Sequence, residues 1–289
     1  MNWGQIPQFV ISGLTSGSIY ALAAIGFNLI YNSTNIINFA QGEFIMLGGL
    51  IMVTFYAVLK LPLIIAAAIT ISIVTLIGAL IERVAIHPVR HSPVLNLIVI
   101  TIGISIILSG AAMLIWGKEA LFFSPFTGGI NIRIGRISIA SQALWVLGLT
   151  LILGLLLWTF FGRTVLGKAI RACSENREAA RSIGINVERM ILLSFSISAG
   201  IGAFGGIIIT PITLMEFNSG TLIGLKGFCA LIVGGLGSNL GAIIGGLLLG
   251  ISESLSIGFI SSSLKDAIAF LMLLMVLFIK PTGIIGRRR

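Results

Sequence analysis

"LIIAAAITISIVTLIGALI", Leu63–Ile81, carries no charged residue over 19 positions. At about 1.5 Å of rise per residue it makes a helix about 29 Å long, close to the thickness of a bilayer's hydrocarbon core. In that solvent the backbone must satisfy its own hydrogen bonds, which a helix does within one segment. Similar runs lie upstream at residues 8–30 and near the end at residues 267–279. Hydrophobic residues make up 57% of the 289-residue chain and charged residues 9%, where a soluble domain would carry about a quarter charged. The chain therefore reads as all-α, a polytopic transmembrane helical bundle forming one domain over residues 1–289. A soluble globular enzyme is excluded.

The apolar segments fall at 8–31, 43–59, 62–81, 95–116, 142–161, 190–213, 222–236, 240–258 and 264–280, the block at 222–258 being divided at Gly237-Ser238-Asn239. About eight membrane passes are expected, plus one short or re-entrant element, with broken helices among them. Loop charge orients them. Arg83, Arg90, Arg163, Lys168, Arg171, Arg177, Arg181, Arg189, Lys280 and Arg287–Arg289 share one side; Lys60, Lys118, Arg133, Arg136, Lys226 and Lys265 share the other. Twelve of the 18 cations thus mark the cytoplasmic face, including the C-terminus, and full crossings place the N-terminus outside. The first eight residues, "MNWGQIPQ", lack the basic n-region of a secretory signal, so the first run is read as an uncleaved span.

A net charge of +9 does not indicate nucleic acid, because the cations lie between apolar runs and form no stripe interleaved with aromatics. Cys173 and Cys229 suit neither a disulfide nor a metal site. Residues 130–139, "INIRIGRISI", alternate isoleucine with polar residues around Gly135, which predicts a short strand pair on the outer surface. It is either a loop tucked against the membrane or a docking surface for an external partner.

Three motifs fail on their context. "GRTVLGKA", residues 162–169, begins like a phosphate-binding loop, but Ala169 stands where Ser or Thr would hold magnesium and a membrane span precedes it. "GIGAFG", residues 200–205, lies inside an apolar helix, where its glycines serve packing. His87 and His91 flank Pro88 with no third ligand near, so a solvated turn is expected and no metal site. No nucleophile–base pair is evident, and no internal repeat is clear.

Small residues recur every four positions at Gly13, Gly17 and Ala21, and again at Gly237, Gly241 and Gly245, with Gly246 and Gly250 offset beside them. Such stripes let helix backbones approach closely in lipid. Residues 31–44, "YNSTNIINFAQGEF", place Asn35, Asn38, Gln41 and Glu43 between two apolar runs. Amides can satisfy a helix broken at membrane depth, and a helix N-terminus there suits a substrate carboxylate, so these four are translocation-pathway candidates; an ordinary short loop is the other reading. Glu216, Lys226 and Glu253 lie close to apolar runs, where ionisable groups face the bundle interior or water, and Lys226 with Glu216 makes a candidate interfacial pair.

The densest charge is in "ACSENREAARSIGINVER", residues 172–189. Glu178-Ala179-Ala180 followed by Gly184 reproduces the first half of the EAA---G loop of bacterial ABC-importer permeases, without its trailing Leu-Pro. Together with "GLTSGSIYALAAIGFNLIYNSTNIINFAQGEF" and "GFCALIVGGLGSNLGAIIGG" this resembles, over essentially the whole length, the permease family of high-affinity branched-chain amino acid transporters, in its H-type subunit. The resemblance implies a bacterial inner-membrane importer of Leu, Ile or Val working by alternating access. Its other parts would be a homologous second permease, two cytoplasmic ATPases and a periplasmic amino-acid-binding protein, all in membrane lipid. ATP and Mg would be used by those ATPases, with no cofactor bound by this chain. It also makes residues 162–189 the ATPase-coupling loop, with Arg177, Glu178, Ala179, Ala180, Arg181 and Gly184 at the contact. The competing classes are an ion-coupled secondary transporter, an ABC permease for other neutral amino acids or short amides, and a membrane-embedded enzyme.

Overall fold

Helix α1 (Ile6–Thr34) is the axis of the bundle, and every residue from Gly17 to Ile30 is buried. The computed structural model describes residues 5–90, 92–134, 137–259, 261 and 265–286. After α1 come α2 (Gln41–Met52, prolonged as a π-helix over Val53–Val58) and α3 (Leu63–Ile81, prolonged through Val89). They are followed by α4 (Val94–Trp116), strands β1 (Asn131–Ile134) and β2 (Ile137–Ala140), and α5 (Ser141–Arg163). Then come α6 (Val165–Glu175), α7 (Arg177–Ser182), α8 (Val187–Ile209), α9 (Ser219–Gly234), α10 (Asn239–Phe259) and α11 (Lys265–Ile279). Seven described helices are long and apolar enough to cross a membrane, and α9 and α11 are shorter, with 16 and 15 residues. All nine expected apolar segments are thus helical.

The order of polarity is that of a membrane protein. Helices α3, α4 and α5 are almost wholly apolar and leave most of their surface outside, where lipid matches them. The central α1 carries Thr15, Ser18, Ser33 and Thr34, whose hydroxyls donate back to carbonyls one turn earlier and so leave no donor stranded in the core.

Close backbone approach holds α1 to α10. A Cβ on Gly13 would lie 2.6 Å from Ile251 Cα, and one on Gly17 would lie 2.8 Å from Gly246 O. The α10 side of this seam is Gly246 and Gly250, while Gly241 and Gly245 form a second face against Gly234 and Ala230 of α9. Gly237 does not belong to that stripe. It precedes α10 with φ +85°, a turn conformation that glycine adopts without strain, and its N–H donates to Asn28 Oδ1 at 2.9 Å.

Two helices start inside the bundle. Gln41 opens α2 beside Ser198, which lies 11 residues into the 23-residue α8 and so about 17 Å along it. From there α2 runs parallel to α8, with Phe44 against Gly202 and Gly49 against Gly206. Ser219 opens α9 at the same depth, because Gly220 and Gly224 pack on Gly42, and α9 runs the opposite way. One short or re-entrant element is expected from the sequence; two helices begin inside the bundle, of which α9 is the short one and α2 with its π-helical extension keeps the 18 residues of a span.

They are also halves of a repeat that the sequence alone does not make clear. "FAQGEFIMLGG" (39–49) and "FNSGTLIGLKG" (217–227) share Phe, Gly, Ile, Leu and Gly at matching positions, and both helices start at the third residue. Packing partners map likewise. Helix α1 packs on α9 and α10 as α8 packs on α2 and α3, while α1 meets α8 and α2 meets α9 across the centre. Opposite chain directions make this an inverted-topology repeat.

At one end, β1 and β2 pair antiparallel with Asn131 opposite Ala140 and Ile134 opposite Ile137, the strand pair that the alternation predicts. Gln8 extends the sheet with its side chain, Nε2 donating to Ser138 O at 2.8 Å and Oε1 accepting from Ser138 N at 3.0 Å. Leu121 and Met215 exchange two backbone bonds, and buried Gln142 accepts from Phe126 N and donates to Ile208 O. The start of α1 therefore lies at the hairpin end, and α6 and α7 lie at the other.

Candidate coupling loop and buried polar junction

The amide-rich stretch is a break between α1 and α2. Asn35 stops α1 in the left-handed region at φ 55°, which asparagine tolerates. Asn38 builds the turn into α2: its side-chain Oδ1 accepts from Ala40 N and its backbone O from Gln41 N. Phe39 N donates to Thr101 Oγ1 on α4. Gln41 Nε2 donates to Ser198 O at 3.2 Å, and Ser198 Oγ lies 2.6 Å from Gln41 Oε1 and 2.8 Å from Gly26 O.

Glu43 sits where α2 and α9 meet. Its Oε1 accepts from Ser105 Oγ at 2.8 Å and Thr221 Oγ1 at 3.1 Å, and Gly220 packs against its Oε2. Glu43 lies in the first turn of α2, where the helix dipole favours a carboxylate, and its charge there is one that a substrate carboxylate at the same N-terminus would have to face. Asn38, Gln41 and Glu43 are fully buried, and Asn38 Nδ2 and Glu43 Oε2 find no partner among the described residues. Asn35 is exposed and does not join them. In this conformation the three are packed inside one bundle at mid-depth, pinning two half-helices and α4 together.

A second polar set joins α1, α9, α10 and α11. Lys226 Nζ (α9) is 2.7 Å from Glu253 Oε1 (α10) and 2.8 Å from Asp266 Oδ1 (α11), and Tyr20 OH (α1) donates to Glu253 Oε2 at 2.7 Å. Lys226 pairs with these two carboxylates rather than with Glu216, whose N–H instead donates to Ser219 Oγ. Sequence reading picked out Lys226 and Glu253 but passed over Tyr20 and Asp266; two acids and a phenol in separate helices have no spacing to signal them.

At the opposite end, "TVLGKAIRACSENREAARSIGIN" folds as two capped helices. Thr164 Oγ1 accepts from Gly167 N, Asn176 Oδ1 from Glu178 N and Ala179 N, and Asn186 Oδ1 from Arg189 N. Ile170, Cys173 and Ala180 face the bundle, and burial pushes the Cys173 thiol above its usual range. Glu178, Ala179, Arg181 and Gly184 face out, with Ile183 74% exposed beside them. Arg177 is half-buried; its Nε and one Nη have no acceptor among the described residues, and burial draws its pKa below the usual value. Gly184 ends the loop at φ +87° in open space. Arg90 Nη1 holds Glu188 Oε1 at 2.6 Å, with His87 Nε2 3.6 Å from the other oxygen, so the expected solvated turn clasps the start of α8. His91 lies outside the described residues.

Gly162–Ala169 is the α5–α6 junction, the end of one helix and the first turn of the next on either side of the extended Thr164, and Gly202 and Gly206 of "GIGAFG" and its sequel pack on α2. The family described as "Branched-chain amino acid transport system / permease component" matches residues 9–277. The chain belongs to that permease family. Among relatives of this permease, the high-affinity branched-chain amino acid transport system permease protein LivH of Escherichia coli (strain K12) is 36% identical over 295 residues, 97% of this chain and 95% of that protein. BraD of Pseudomonas aeruginosa, with the same description, is 36% identical over 296 residues, again 97% and 95%. The permease also shares its fold with a chain of PsaBC from Streptococcus pneumoniae in complex with Fab, at a TM-score of 0.50 and 17% identity, covering 95% of this chain and 92% of that one.

Proposed function

We propose that this permease is one subunit of an ATP-driven importer that moves branched-chain, aliphatic amino acids across the bacterial inner membrane by alternating access. ATP hydrolysis belongs to two ATPase partners, a second permease completes the translocation path, and an external binding protein delivers cargo. The α6–α7 element carries this reading: a capped pair of helices presents Glu178, Ala179, Arg181 and Ile183 outward on the chain's basic, hence cytoplasmic, end. Arg177 supplies guanidinium donors that lack an acceptor among the described residues, which suits an acceptor on a docked ATPase. Helices α5 and α8 run directly into the element, so a pull on α7 reaches both.

Family membership supports the transport role and the aliphatic cargo class. An ion-coupled mechanism is disfavoured by the same outward-facing coupling element, which such a transporter does not need. The test is co-purification of ATPase subunits with the tagged chain, comparing wild type with Glu178→Arg. Wild type should retain them and Glu178→Arg should lose most of them at equal membrane insertion; equal retention would remove the coupling assignment.

A further inference from the structure

At its loop end, α5 does not close against α8. A groove of about 490 Å³ follows the last two turns of α5, walled by Leu156, Phe160 and Ile197 and ending at Arg163 and Thr164. Helix α5 is the least enclosed of the long helices, so the groove opens towards hydrocarbon. Arg163 is exposed and makes no ion pair among the described residues. Lys168 and Arg171 follow Thr164 by one and two helical turns, both exposed on the same face of α6, and the first carboxylate on that face is Glu175 beyond them. Val165, 83% exposed, and Leu166 lie at the start of this amphipathic helix, directly after the apolar α5, the pattern of a helix that lies along a membrane surface.

An apolar slot that ends at Arg163, with Lys168 and Arg171 on the helix that follows and no ion pair to any of the three among the described residues, is complementary to one class of molecule. We propose that the α5–α8 groove binds an anionic phospholipid, its acyl chain along Leu156, Phe160 and Ile197 and its phosphate on Arg163, with Lys168 and Arg171 extending the positive field over the headgroup. The site is separate from the Glu43 junction and from the outward face of α7, so its occupant is neither cargo nor ATPase. A headgroup held there ties α6 to the membrane surface and steadies the α7 that follows it.

Native mass spectrometry of the full chain tests this, after incubation with equal amounts of phosphatidylglycerol and phosphatidylcholine of matched acyl chains. Wild type should retain phosphatidylglycerol over phosphatidylcholine by at least about fivefold, the effect of one Lys or Arg at an anionic surface. Arg163→Gln should bring that ratio down about fivefold, and Arg133→Gln, on the hairpin, should leave it unchanged. Leu156→Phe should lower retention of both lipids, with size-exclusion profiles confirming a folded chain. Equal retention by wild type, an undiminished preference in Arg163→Gln, or displacement of the lipid by inorganic phosphate would each overturn the proposal. So would a dimer of this chain that binds no lipid, because a second copy would then cover the groove.

Discussion

Gly184 has a backbone angle that side chains resist, but a Cβ added to it would meet nothing within 4 Å. Its substitutions therefore act through φ, at about 1–2 kcal/mol for an L residue in the left-handed region, and not through size. Gly184→Ala and Gly184→Trp should reduce ATPase co-purification to a similar extent, and Gly184→Asn less, as quantified by the ATPase-to-permease ratio. A graded loss with side-chain volume would place the effect at the contact surface instead. Glu43 is the opposite case, because neighbours define it. Glu43→Leu removes the acceptor of Ser105 and Thr221 and should lower the thermal midpoint in detergent by an amount corresponding to about 1–3 kcal/mol. Glu43→Gln, which keeps a carbonyl oxygen, should lower it less. The amides around it were legible as a group from their odd company of isoleucines. The contacts that hold Glu43 were not, since its donors come from 62 and 178 residues away.

Among the helices, the glycines divide by what faces them. Gly42→Ala and Gly220→Ala would each drive a methyl group into the opposing half-helix, onto Gly220 O and Glu43 respectively. Overpacking of this kind is worth about 1–3 kcal/mol or more, and both should lower the thermal midpoint sharply. Gly110→Ala and Gly148→Ala, where nothing lies within 4 Å, should be neutral or slightly stabilising because alanine favours helix. Thermal scans by intrinsic fluorescence separate the two groups. A four-residue spacing was enough to flag Gly13, Gly17, Gly241 and Gly245 as packing positions. It also swept in Gly237, because spacing does not show where a helix begins. The buried starts of α2 and α9 were harder to read, since a helix that begins inside the bundle has the same composition as one that begins at its surface.

Across the whole molecule, the inverted repeat places two half-helices head to head at the centre, and the Tyr20–Lys226–Glu253–Asp266 set joins α1, α9, α10 and α11. Removing one member of a buried pair strands the other. Lys226→Met should destabilise the fold by about 3–5 kcal/mol, and Lys226→Met with Glu253→Leu by clearly less, read as non-additive shifts of the thermal midpoint. Additive shifts would mean that the two charges do not act as a pair. The helical membrane class and the nine apolar segments could be read from hydropathy, although about eight passes were expected and seven described helices are long enough to cross. The repeat could not, because five matching residues in eleven become meaningful only once both segments are seen to start helices at one depth.

The central claim is that energy enters through α6–α7. It is tested most directly by ATP-dependent uptake of labelled leucine into proteoliposomes holding the assembled transporter, with Glu178→Arg compared against wild type at equal permease content. The account predicts that wild type accumulates leucine only with ATP and that Glu178→Arg reduces the rate at least tenfold. Wild-type uptake in Glu178→Arg, or accumulation that proceeds without ATP, would contradict it.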